Sequence, residues 1–120
     1  MIHNNQEKGR LGENLAAQYL QAHGYEILAN RYRTRYGEAD LVARIQDTLV
    51  FVEVKARTNT KHGTPAEAVT AKKQKNATMA AMAYLQQNGC MDALCRFDVV
   101  EVFLPGGQIC HITNAFDACM

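Results

Sequence analysis

Residues 38–57 read "EADLVARIQDTLVFVEVKAR", two apolar runs joined through a polar pair. In the second run Val50, Val52 and Val54 alternate with Phe51, Glu53 and Lys55. Side chains alternate across a strand, so Glu53 and Lys55 share a face, with Cα atoms roughly 7 Å apart. One reading is a solvated face of an antiparallel sheet, where apolar and polar residues commonly alternate. The first run supplies another. With Gln46 and Asp47 as the loop, Ile45 faces Thr48, and that register carries Asp40 directly opposite Glu53. A four-residue loop gives the same pairing, whereas a three-residue loop shifts it by one.

Two facing carboxylates repel unless something positive lies between them. A divalent cation with oxygen ligands can fill that role, and Mg²⁺ binds readily through one or two carboxylates plus phosphate oxygens. Lys55, on the same face, adds a cation where a phosphate would be held. Asp40, Glu53 and Lys55 together form a candidate centre for phosphodiester hydrolysis, in which metal polarises phosphate and activates water. Glu13 has two readings. It lies at the edge of the apolar stripe Leu11, Leu15, Tyr19 and Ala22, either as an ordinary boundary residue or as a further ligand reaching the sheet.

Outward from the hairpin, a first helix is expected over Asn5–His23, closed by Gly24. "YEILANRYRTRY" reads as a strand before the two hairpin strands. "TPAE" opens a second helix, with Thr64 as N-cap, Pro65 at the first helical position and Glu67 completing a capping box. That helix runs to about Asn88, with Gly89 as its stop, and the pattern also allows a break near Thr70. "RFDVVEVFL" is a buried strand, and "PGG" turns into a last one, "QICHIT". The order is helix, three strands, helix, two strands: an α/β architecture with one mixed sheet flanked by helices. The 120 residues form one domain.

The N-terminus is polar and no apolar run is long enough for a membrane span, so the expected location is the cytoplasm, with no membrane partner. The four cysteines, Cys90, Cys95, Cys110 and Cys119, show no CxxC spacing. Reduced thiols are expected, and a zinc site combining them with His111 has only weak spacing support. Net charge is +1, but residues 31–75 hold ten Lys and Arg against five Asp and Glu. A basic middle segment suggests an anionic partner on one face, DNA in this reading, although such segments are also simply solvated. Arg31, Arg33 and Arg35 alternate with Tyr32, Thr34 and Tyr36, which lets three guanidiniums line one strand face and meet backbone phosphates. Charge protecting an edge strand explains the same pattern. Arg57, Lys72, Lys73 and Lys75 complete the candidate nucleic-acid contacts. His62 is a weak candidate base, and His3, His23 and His111 belong to no catalytic constellation.

"GRLGE", "YGEADLV", "VFVEVKAR", "VTAKKQK" and "RFDVVEV" followed by "NAF" resemble, in that order, the YraN family of bacterial proteins. These are predicted endonucleases, similar at a distance to archaeal Holliday-junction resolvases. The resemblance spans roughly residues 8–117, and its centre matches the D…ExK signature of restriction-endonuclease-like folds. It implies an αβββαβ core and Mg²⁺ or Mn²⁺ as cofactor. It also implies Asp40 and Glu53 as metal ligands, Lys55 as catalytic lysine and Glu13 as the helical glutamate of the resolvase-like branch. Ala39 departs from the larger aliphatic residue usual before "DL". The function expected is a metal-dependent DNA endonuclease acting on branched or damaged DNA; the alternative is a nucleic-acid-binding protein that keeps the fold without turnover. Cutting two antiparallel strands in one encounter needs two oppositely oriented sites, which a two-fold homodimer supplies. Its interface would draw on "QICHIT" and the tail around Ala115, Phe116 and Met120, and a monomer that nicks one strand is the alternative.

Overall fold

A computed structural model describes residues 5–58 and 69–118. Its elements are α1 (Asn5–Ala22), β1 (Glu26–Arg33), β2 (Glu38–Ile45), β3 (Thr48–Arg57), α2 (Ala71–Gln87), β4 (Leu94–Phe103) and β5 (Gln108–Ile112). The five strands form one sheet in the order β1-β2-β3-β4-β5. Only β3 and β4 are parallel, in register from Thr48↔Leu94 to Arg57↔Phe103. Parallel neighbours need a crossover connection, and α2 lies within it. The other three pairs are antiparallel. This mixed sheet with its two helices is a restriction-endonuclease-like α/β fold.

The β2–β3 hairpin has the bounds read from its alternation. Gln46 takes the left-handed φ of 54° that lets two residues reverse the chain. α1 ends at Ala22, one residue before the expected boundary, and Gly24 follows with a φ of 90°. For α2, Thr70 is the N-cap and its Oγ1 accepts from the Lys73 N–H at 3.2 Å. The expected cap at Thr64, Pro65 and Glu67 lies outside the described residues, and the break allowed near Thr70 is where the described helix begins.

Alternation divides the sheet between two cores. Ala16 and Leu20 of α1 pack on Leu41, Ala43, Val50, Val52, Val100 and Val102. Ala77, Ala80, Ala81 and Leu85 of α2 pack on Val42, Leu49, Phe51 and Phe97. Each fully buried Val or Leu contributes about 1.5–3 kcal/mol, so these two faces supply most of the drive to fold. Both helices touch the sheet through glycine. A Cβ on Gly12 would meet the Ala56 Cβ at 2.9 Å, and one on Gly37 would lie 2.1 Å from the Asn76 carbonyl oxygen of α2.

One expectation changes here. Arg31, Arg33 and Arg35 do not line one strand face: β1 is irregular between Ile27 and Ala29, Arg31 has a φ of 52°, and the strand stops at Arg33. In the tail, Ala115 and Phe116 are half-buried. Phe116 stacks on Phe97 with ring centroids 5.1 Å apart, and the Ala115 N–H donates to the Phe97 carbonyl at 2.7 Å. Met120 lies outside the described residues. Among the described residues, Cys90, Cys95 and Cys110 form no disulfide. No helix among the described residues is long and apolar enough to cross a membrane.

Candidate active site

The hairpin ladder runs from Ile45↔Thr48 to Leu41↔Val52. One step further the register would pair Asp40 with Glu53, and there the sheet opens. Ala39 and Leu41, two residues apart, belong to opposite cores, so the strand alternation breaks at Asp40. Its side chain turns towards β3, where Oδ2 accepts the Val54 N–H at 2.8 Å. A carboxylate thus replaces the backbone carbonyl that would have continued the ladder.

Glu53 is only 9% exposed. Its carboxyl is pushed up to about 8, first by burial, then by the Asp40 charge and by a hydrogen bond in which protonated Glu53 donates to Asp40. Burial also raises Asp40, against the Val54 N–H bond that favours its anion. Two acids in a low-dielectric site therefore share a proton.

Beside them is a second like-charge pair. Lys55 lies beside Lys73 of α2, and that neighbouring amine, followed by burial, lowers the Lys55 pKa. Both amines act on Glu53 in the opposite sense, favouring its anion. Lys73 lines a cleft of about 150 Å³ with Glu13, Glu38, Asp40, Glu53 and Asn76. Lys73, expected as one of several DNA contacts, is thus part of the centre itself. Glu38 and Asn76 were not anticipated. The position of Glu38 two residues before Asp40 was a usable signal for the first; Asn76 carried none.

Glu13 lines the same cleft as Asp40 and Glu53. Its Oε1, however, accepts from Arg31 Nε at 2.7 Å. The register of β1 on β2, with Asn30↔Leu41 and Tyr32↔Ala39, sets Arg31 beside Asp40. A non-glycine residue in the left-handed region costs on the order of 1–3 kcal/mol and persists only where its surroundings hold it. Here the Glu13 contact does so. Among the described residues no three Asp, Glu, His or Cys side chains converge as a ready metal-ligating group.

The remaining cationic candidates divide. Arg33 is exposed and pairs loosely with Glu38 at 3.4 Å. Arg35 lies in the turn after β1, its guanidinium 5.7 Å from the Tyr36 ring centroid. Lys72 and Lys75 are exposed within the first two turns of α2. Arg57, expected at the DNA surface, is instead drawn into an ion pair with buried Glu101 of β4, and only 15% of its side chain is exposed. His62 lies outside the described residues.

A separate cluster went unnoticed in sequence. Asp98, fully buried in β4, accepts from Arg96 Nε at 2.8 Å and Nη2 at 2.9 Å, and from the Asn114 N–H at 2.9 Å. His111 Nε2 lies 2.7 Å from its Oδ2. Arg96 also donates to the Tyr25 hydroxyl at 2.7 Å. A lone aspartate inside an apolar strand was the available signal, since buried carboxylates require partners.

With this geometry in hand, comparison with known proteins is informative. The family described as "Uncharacterised protein family UPF0102" matches residues 12–102, a span holding Glu13, Asp40, Glu53, Lys55 and Lys73. A UPF0102 protein of Clostridioides difficile strain 630 is 45% identical over 113 residues, covering 94% of this chain and 99% of its own. One from Syntrophomonas wolfei is 48% identical, covering 93% and 99%. One from Chlorobium chlorochromatii is 53% identical, covering 92% and 91%. Matches across nearly the whole of both chains leave one conclusion: this chain belongs to the UPF0102 family.

Proposed function

We propose that the chain is a metal-dependent endonuclease that hydrolyses DNA phosphodiester bonds. The observation that carries the reading is the side-by-side placement of two like-charge pairs of opposite sign. Asp40 and Glu53 crowd two acids together, and Lys55 and Lys73 crowd two amines. Each pair is strained alone. A divalent cation relieves the first, an anionic phosphate relieves the second, and a metal-bound phosphodiester supplies both at once.

The residues fit Mg²⁺ or Mn²⁺. Asp40 and Glu53 are hard oxygen donors whose shared proton such a cation would displace, and Glu13 is a further donor in the same cleft once released from Arg31. Bound there, the cation would polarise the phosphate and lower the pKa of a coordinated water. The chain's own groups do the rest. Lys55, its proton loosened by Lys73, is suited to donate to charge developing on a phosphate oxygen. Lys73 places a second cation on the same wall. Arg31, Arg33, Lys72 and Lys75 add sequence-independent attraction for a DNA backbone.

A second reading, a DNA-binding protein without turnover, draws on the engagement of Glu13 by Arg31. Fluorescent junction, flap, single-strand and duplex DNA incubated with Mg²⁺ or Mn²⁺ separates the two. Cleavage that vanishes with EDTA and in Asp40→Asn supports the nuclease. Salt-sensitive binding with no product from any substrate supports the binder, and cleavage that survives both controls rejects the mechanism.

A further inference from the structure

The turn between β1 and β2 carries a side chain that the reaction does not use. Tyr36 is 64% exposed, more than any other large hydrophobic residue among those described. Scattered exposed aromatics are ordinary, but the setting of this one is specific. Thr34 Oγ1 accepts from the N–H groups of Tyr36 and Gly37, both at 3.1 Å, and donates to the Gly37 carbonyl at 3.0 Å. The Thr34 N–H donates to that same carbonyl at 2.8 Å. Gly37 is seated so closely on α2 that no side chain fits between it and Asn76. The turn is therefore braced internally and against a helix, and its ring is presented without the ordering cost of a loose loop.

Its position matters equally. Glu38 and Asn76, the residues flanking and supporting the turn, line the acidic cleft. Tyr36 lies four positions before Asp40, so their Cα atoms lie no more than about 14 Å apart. The Arg35 guanidinium covers the ring at 5.7 Å from its centroid, leaving a cation beside an open aromatic surface.

We propose that this turn is a stacking platform for an unpaired nucleobase of the DNA held in the cleft. An aromatic ring with an adjacent cation is the chemistry that single-stranded nucleic acid recognises: the base stacks on the ring while the guanidinium meets the phosphate. Bases inside an intact duplex are already stacked and offer no face, so the platform directs the site to flaps, gaps, junction arms and single strands. The proposal deepens the nuclease reading by naming its substrate class, and it is tested without turnover.

Flap and gapped DNA carrying 2-aminopurine at the first unpaired positions, and a matching blunt duplex, would be titrated with protein in EDTA. Wild type and Tyr36→Phe are expected to quench the probe and to favour flap over duplex. Tyr36→Ala should lose quenching and roughly 10- to 100-fold of flap affinity, with duplex affinity unchanged. Equal losses on flap and duplex, or retention of quenching and preference in Tyr36→Ala, would overturn the platform. Because nothing is cleaved in these titrations, a wild type that stacks bases yet makes no product with Mg²⁺ fails only as a nuclease. A Tyr36→Ala protein that cuts flaps and duplexes in wild-type proportion fails only the platform.

Discussion

Two of the buried carboxylate sites in the molecule are treated in opposite ways. In β4, burial alone would push Asp98 up, but its bonds to His111, Arg96 and the Asn114 N–H outweigh that and hold it below the usual carboxylate range. At the hairpin, Glu53 is pushed up to about 8, because burial and the Asp40 charge exceed what Lys73 and Lys55 return. Every acceptor position of Asp98 is answered from within the chain. The hairpin acids have each other, one N–H, and two amines that repel one another. Burial with full compensation marks a structural group; burial without it marks a place prepared for something from outside.

The sharpest way to break the contrast is to remove one acid from each cluster. Asp98→Ala leaves Arg96 and His111 around an empty centre and should cost about 3–5 kcal/mol in urea unfolding, as loss of one partner of a buried ion pair does. Asp40→Asn should cost far less, because it also removes a repulsion. Equal losses would erase the distinction.

Lys55→Ala comes next. With Mg²⁺ or Mn²⁺ the cleavage rate should fall ~10²–10³-fold, the usual effect of losing a transition-state donor. DNA affinity in EDTA should change by only a few-fold, since one cation among several is lost. A collapse of affinity alongside the rate would reassign Lys55 to binding.

Glu53 sharpens the comparison through pH. Its folded pKa lies above the ordinary value of 4.5, so neutral Glu53 favours the folded state in acid, and that contribution disappears as pH rises towards about 8. Metal-free wild type should lose up to roughly 1.4 kcal/mol per pH unit within that window on this account, and Glu53→Gln should stay nearly flat. Asp98, its pKa lowered, works the other way: its contribution is present above the ordinary aspartate range and is lost on acidification. Denaturant melts from about pH 2 to about pH 9 check both signs, and a Glu53→Gln protein with the wild-type slope above about pH 5 would locate the titration elsewhere.

The smallest effect belongs to Arg33→Ala. Its partner Glu38 is 3.4 Å away and both side chains are more than half exposed. The loss should stay within about 0.5 kcal/mol in the same unfolding measurement. A loss above 1 kcal/mol would mean that the pair shapes the turn below Tyr36.

Most of the fold and the acidic half of the site were legible because their signals are local. Period-2 alternation around a two-residue loop sets the register of the hairpin, and the register brings Asp40 to Glu53. The break in alternation at Asp40 could not be read, since it depends on the side chain taking the Val54 N–H. The lysine half was only partly legible. Lys55 shares a strand face with Glu53, but Lys73 arrives on α2, and no local pattern says how the first turn of a crossover helix sits over a sheet. Arg57 misled for a similar reason: Glu101, its partner, lies 44 positions on, in a strand whose parallel register is set through the crossover. Arg31 misled because alternation presumes strand backbone throughout, and its left-handed φ is a tertiary outcome.

Gly12 and Gly37 give the site a property of gauge. Each closes a helix or turn onto its neighbour at the limit of approach, Gly12 against Ala56 and Gly37 against Asn76. Glu13 follows the first contact and Glu38 the second. The width of the cleft is thus set by two hard stops rather than by the fit of large side chains. The hydrophobic cores can drift in composition without changing the calibre of the opening, whereas one methyl group at either stop would reset it.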